Sequence, residues 1–255
     1  MQLVAGTLGK VWFLIAFTVI FWFFVDRTAK GHKLVIRRIA GFDALDEAIG
    51  RCTEMGRPVH YTFGVGELDA NVLASFDVLG YVSGQCARMD TDIIITNALG
   101  EVQMMTEEIV RSAYVHAGKP DAYKADNVRF VSSVQTAYMS AILGIFQRER
   151  PGANLMLGPF FAESMMLAEA GQQIGAIQVG GTGRTIQVPF FIAACDYTLI
   201  GDELFVAGAY IGRKPLQVGA VYAQDFGKWL TLLLIVAGTI LATSGNNFVT
   251  DLMKK

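Results

Sequence analysis

Two glycine clusters in this 255-residue chain have the composition of ligand loops. The first, Gly64-Val65-Gly66-Glu67-Leu68-Asp69, follows the apolar run Val59–Phe63 and precedes a helical pattern. A strand, a glycine turn and a helix together aim backbone N–H groups and a helix N-terminus at a phosphate. A dinucleotide loop needs a third glycine where Asp69 stands, so that helix and strand can pack closely. Asp69 suits an N-cap instead. With Glu67 it places negative charge where a phosphate would sit. The dinucleotide pattern also wants an acidic residue about 20 positions on, but the next apolar run ends in Thr96-Asn97. The stretch reads as a capped turn more than as a dinucleotide site.

The second cluster is Gly180-Gly181-Thr182-Gly183-Arg184, after the run Ala176–Val179. Successive N–H groups there can form an anion nest, with Arg184 as the charged partner. The cluster lacks the lysine and the spacing of a P-loop, and a plain glycine turn is the competing reading. The candidate ligand-binding residues are therefore Gly64, Gly66, Glu67, Asn97, Gly180, Gly181, Thr182, Gly183 and Arg184.

No catalytic residue is assigned, because no nucleophile is paired with a base. Glu163, Asp196 and Glu203 stand in apolar surroundings and are expected to be structural hydrogen-bonding partners. Cys195 reads as core. The three cysteines (52, 86, 195) and three histidines (32, 60, 116) are scattered, with no metal spacing. No metal or other cofactor and no disulfide framework is expected. A net charge of -2 gives no electrostatic support to a nucleic-acid role.

The elements that must hold these residues alternate. Short apolar runs at Val59–Phe63, Asp92–Thr96, Val128–Val131, Ala153–Leu157 and Ala176–Val179 predict five buried strands. Between them, Asp69–Cys86, Glu101–His116, Val134–Gln147 and Phe160–Gln173 read as helices, and Phe42, Leu45, Ile49, Cys52 and Met55 form one face of an earlier one. Such alternation implies a Rossmann-like, doubly wound parallel sheet of about five strands. Thr185–Gly212 is ambiguous between helix and hairpin, and helix is the reading adopted.

Apolar residues make up 53% of the chain, and the surplus sits at its ends. Val11–Val25 carries no charge and seven aromatic residues, and Trp229–Thr250 is 22 uncharged residues. Both predict membrane helices; no small-x-small cleavage site follows the first, against a signal peptide. Gly238 and Ala242 offer a small-xxx-small contact. Eight Lys or Arg lie between the spans near their ends, against Lys10, Lys254 and Lys255 outside. That bias predicts a two-pass protein of the cell membrane with its central domain in the cytoplasm and both termini outside. The division expected is 1–26 as a transmembrane helix, 27–228 as the α/β domain and 229–255 as a second helix with a tail. The basic run Arg27–Arg38 sets topology, with anionic headgroups as the alternative role.

The stretches "RPVHYTFGVGELD", "DIIITN", "EEIVRSAYVHAGKPDAY", "NLMLGPFFAESMMLAEAG", "GAIQVGGT" and "VPFFIAACDYTLIGDELFVAGAYI" resemble a family of prokaryotic membrane proteins of unknown function. The likeness spans about residues 40 to 228. It implies a membrane-anchored α/β domain and supplies no catalytic residues. The function expected is a membrane scaffold or assembly protein. Its partners would be the lipid bilayer, further copies of itself, and a soluble or membrane protein complex, but no nucleic acid. A membrane-bound enzyme or sensor taking a small anion or nucleotide is the alternative. A transporter subunit ranks third, since two spans form no pore alone and only Lys10 is ionisable within them.

Overall fold

Polar and apolar positions alternate inside the strands, and this alternation sorts the two faces of the sheet. The computed structural model describes residues 8–30, 40–212 and 215–243. Six strands form: β1 (Val59–Thr62), β2 (Ile93–Asn97), β3 (Val128–Phe130), β4 (Ala153–Leu157), β5 (Ile177–Thr182) and β6 (Tyr197–Ile200). All pair in parallel, in the order β3-β2-β1-β4-β5-β6. This is the strand order of the doubly wound dinucleotide-binding folds. Val59 stands opposite both Ile93 and Ala153, so β1 lies at the centre. β1, β2 and β4 are buried at every residue, as strands covered on both faces must be.

The chain is helical at α1 (Leu8–Ala29), α2 (Ala40–Met55), α3 (Ala70–Arg88), α4 (Gly100–His116), α5 (Gln135–Glu149), α6 (Glu163–Gln173), α7 (Val188–Ala194), α8 (Asp202–Gly212) and α9 (Pro215–Thr243). It divides into two compact units, residues 37–211 and the two ends together. In the α/β unit, Val59, Tyr61, Ile93, Ile95, Leu155 and Leu157 face α2, α3 and α4 across one core. Met156 faces Tyr138, Phe146, Phe160, Leu167 and Phe191 of α5, α6, α7 and the β4–α6 loop across the other. The expected α2 stripe is buried at Phe42, Leu45, Ile49 and Cys52, while Met55 is exposed. Gly56, at φ +62°, ends that helix.

The strand count is six, not five. The segment expected as one helix is α7, β6 and α8 in turn. The break has a physical cause. Asp196 Oδ2 accepts the Gln178 backbone N–H at 2.8 Å, which fixes the chain to the edge of β5. Gly201, at φ +56°, then turns it, with Gly201 N–H donating to Thr182 O. Between these pins Tyr-Thr-Leu-Ile has strand character.

In the terminal unit, α1 and α9 pack antiparallel. Val25 lies on Gly219, Phe24 on Tyr222 and Phe226, and Phe17 on Gly227. A side chain at Gly219 would come within 2.7 Å of the Val25 Cα. Val11–Ala29 and Pro215–Leu241 are each long and apolar enough to cross a membrane. Lys33, Arg37, Arg38, Arg213, Lys214, Lys254 and Lys255, counted for orientation, lie outside the described residues, as does most of the basic run.

Candidate functional site at the carboxyl edge of the sheet

Ligands of open α/β sheets bind beyond the carboxyl ends of the strands, where the strand order reverses. Here that crevice lies between β1 and β4, and the chain's own loops fill it. Gly66 N–H donates to Pro159 O at 3.0 Å. A Cβ on Gly66 would stand 2.4 Å from the same oxygen. Gly158, at φ +152°, lies so close to β1 that a Cβ would meet Phe63 O at 2.3 Å. Gly64 backs onto the ring of Phe160, a fully buried side chain that packs edge-on against Phe191. The two glycines of the first cluster therefore let two protein loops touch.

Glu163 completes the closure. It is 1% exposed. Its carboxyl oxygens accept from Phe161 N–H at 3.0 Å, Val65 N–H at 3.4 Å and Gln135 Nε2 at 2.6 Å. One side chain thus ties the loops after β1, β3 and β4. Two backbone N–H groups at the switch point, of the kind that cradle phosphate, are spent on it.

The second cluster is held from both sides. Gly180, Gly181 and Thr182 lie inside β5, where the strand continues past its expected end at Val179. Side chains at the two glycines would strike Phe191 and Leu157. Gly183 N–H donates to Asn71 Oδ1 at 2.8 Å, and Arg184 N–H to Thr182 Oγ1 at 3.1 Å. The Arg184 guanidinium lies 3.8 Å from Asp69 Oδ2 and 4.4 Å above the ring of Phe161. Asp69 is the N-cap of α3, accepting from Asn71 and Val72 N–H, as its position predicts. The structure thus gathers Gly64, Gly66, Gly183 and Arg184 in one corner, with exposed Glu67 on the same loop. Asn97 is elsewhere: it is buried, its Oδ1 accepts from Thr106 Oγ1 of α4, and its Nδ2 has no partner.

Sequence reasoning missed a polar seam on the α5–α6–α7 face. His60 Nδ1 lies 2.9 Å from Asn154 Oδ1, and His60 Nε2 lies 3.1 Å from Thr96 Oγ1. Asn154 Nδ2 donates to Gln178 Oε1 at 3.0 Å, and Gln178 Nε2 to Ala168 O. Four neighbouring strands are joined by side chains alone. Burial pushes the His60 imidazole down to about 4, so it is neutral near pH 7. The Asn154 amide donates onward, so its oxygen accepts Nδ1–H, and Nε2 accepts the Thr96 hydroxyl. Tyr138 OH donates to Thr96 O at 3.1 Å and contacts Thr62 Oγ1. The available signal was His60, Thr62, Thr96, Asn154 and Gln178 recurring inside otherwise apolar runs.

The thiols are poor nucleophiles. Burial drives Cys52 and Cys195 up to about 12, with Asp196 adding to the rise at Cys195, and it raises Cys86 as well. Among the described residues no three His, Cys, Asp or Glu converge as metal ligands.

Among the described residues, cavities of about 250 and 340 Å³ lie at the amino edge. The charges lining the first are engaged: Asp90 with Lys119, Asp92 with Lys124, and Arg129 with Glu149. Arg57 donates to the carbonyls of Arg150, Pro151 and Ile174.

The carboxyl edge presents a different surface. The loops after β3, β4 and β5 expose Val134, Phe161 and Ile186, and the N-terminal parts of α3, α4 and α8 expose Leu73, Met104 and Phe205. Ile186 is 79% exposed and Met104 is 69% exposed. Met105, Met165 and Met166 are exposed beside them, whereas Phe160 is core. No curated protein and no solved structure matches the chain. Residues 4–253 match the domain of unknown function DUF6754, and the chain belongs to that family.

Proposed function

We propose that this protein is a membrane-anchored docking or assembly module, whose α/β unit binds further copies of itself or a partner complex. One observation carries the reading. The crevice that would take a nucleotide is filled by Pro159, Phe160 and Glu163, while the loops after β3, β4 and β5 and the N-terminal parts of α3, α4 and α8 expose apolar side chains. Exposed apolar side chains in number are a feature of interaction surfaces. The pairing of Arg184 with Asp69 and Phe161 weighs against the anionic-ligand alternative.

In this reading α1 and α9 are the two anchors, the α/β unit lies in the cytoplasm, and both termini lie outside, as the Lys and Arg bias requires. The test is the native mass of the full-length protein, extracted gently from its own membrane, with identification of what co-purifies. A closed oligomer or a stoichiometric partner is expected. A lone protomer overturns the reading.

A further inference from the structure

We propose that the hairpin of α1 and α9 self-associates in the membrane, with Gln224 and Asp225 of α9 facing the same two residues of a second copy. The inference rests on the reading of α1 and α9 as anchors and goes beyond docking by the α/β unit.

The register of the hairpin carries it. Phe17 lies on Gly227, and Phe24 lies on Tyr222 and Phe226. Gln224 and Asp225 are therefore level with the part of α1 between Phe17 and Phe24. That part belongs to Val11–Val25, which has no charge. A bilayer that takes in the middle of α1 takes in Gln224 and Asp225 as well. At about 3.6 residues per turn, both point away from the Gly219, Tyr222 and Phe226 face that meets α1. Both are exposed on the hairpin, and Lys228 follows one turn on.

The hairpin thus has two unlike sides at one depth. On its outward side α1 exposes Val19, Trp22 and Phe23, which suit lipid tails and are costly in water. On the other side α9 presents an amide and a carboxyl. These are costly among lipid tails, whether the carboxyl is ionised or protonated. Sliding the hairpin along the membrane normal relieves one side only by penalising the other. A second copy relieves both, because α9 then meets α9 while α1 faces lipid. The chemistry is self-complementary. The Gln224 amide donates and the Asp225 carboxyl accepts, so a two-fold axis along the membrane normal pairs each with the other. Hydrogen bonds between polar side chains join membrane helices in this way.

The experiment uses the full-length protein in its own membrane, with a photo-cross-linking residue at position 232 or at position 19. Leu232 is about two turns beyond Asp225 on the same side of α9, and Val19 is on the outward side of α1; both are exposed. Dimers of this chain are expected from position 232, and lipid adducts from position 19. Joint Gln224→Leu and Asp225→Leu substitution should cut the yield of dimers about tenfold, while Asp225→Asn, which keeps a hydrogen-bonding oxygen, should retain most of it. Both side chains are exposed, so the hairpin itself is kept. The thiol of Asp225→Cys should resist a membrane-impermeant maleimide. Rapid labelling there places the position in water and overturns the inference. So do dimers formed as readily from position 19 as from position 232, adducts of position 232 with lipid or another protein alone, and dimers that survive the joint leucine substitution. An oligomeric native mass without the cross-link at 232 overturns this inference alone and leaves the docking reading standing. A lone wild-type protomer overturns both.

Discussion

Phe42 and Tyr210 stack face to face, with ring centroids 5.1 Å apart and planes 18° from parallel. Phe42 is in the first turn of α2 and Tyr210 in the last turn of α8, so the two ends of the α/β unit are fastened to each other. Gly41 reinforces the junction, since a side chain there would strike Leu199 of β6. Phe42→Ala should cost about 3 kcal/mol of stability, as expected for a buried ring, whereas Tyr210→Phe keeps the stack and should cost under about 1 kcal/mol. Thermal unfolding of the solubilised full chain, followed by the circular dichroism of the β-sheet rather than by Trp12, Trp22 and Trp229, which lie outside the α/β unit, separates the two.

Glu163 should be worth more than its neighbours on the same helix. Glu163→Ala leaves two part-buried backbone N–H groups and the Gln135 amide without this acceptor, at a cost of about 2 kcal/mol. Glu163→Gln keeps one acceptor oxygen and should cost less. Hydrogen exchange at Val65 and Phe161 is the specific readout. Both amides should exchange faster in the alanine variant, while the β2 amides, remote from Glu163, stay protected.

His60 predicts an acid limb of stability. Its folded value of about 4 lies below the ordinary 6.5. The folded state therefore favours neutral imidazole. The stabilisation is complete above pH 6.5 and is lost as pH falls from there towards 4, reaching about 3 kcal/mol for the full shift. Denaturant midpoints of the wild type and of His60→Gln, compared from pH 7 to pH 4, isolate this part. The wild type should lose stability more steeply across that window. Parallel curves would contradict a buried neutral imidazole.

The thiols predict chemical silence. With Cys52 and Cys195 pushed up to about 12 and Cys86 also raised by burial, little thiolate exists at pH 8. Iodoacetamide should label none of the three on the folded protein within minutes and all three in denaturant, as mass spectrometry can count. Rapid labelling of native Cys195 would show that its environment is more open than its packing indicates.

Much of the α/β architecture was legible because each signal was local. The runs at Val59, Asp92, Val128 and Ala153 lie within a residue of the strands that form, and Asp69 announced its own helix start. The sixth strand was not legible. Ala193, Ala194, Ala207 and Ala209 gave Thr185–Gly212 a helical look, and the strand depends on Asp196 capturing a backbone N–H on β5, 18 residues earlier. The state of the candidate site was hidden for the same reason. Gly64, Gly66 and Arg184 stood out as residues that could face a ligand. What they face instead, Pro159, Phe160, Asp69 and Phe161, is set by contacts between segments far apart in sequence.

The polar seam also bears on how the chain finds its fold. β1 and β4 are neighbours in space, yet the bond from His60 to Asn154 joins residues 94 positions apart. β4 must therefore arrive late, after a long loop has closed. Until it does, the imidazole has no Asn154 to receive its proton. A strand that slips by one position turns every side chain to the opposite face. Asn154 would then point into the core of α3, and Leu155 would lie against the ring of His60. Apolar strands alone tolerate such a slip poorly; this pair of amide and imidazole makes the wrong alignment costlier still. The seam acts as a proofreading mark, cut across the sheet, that only the correct alignment can match.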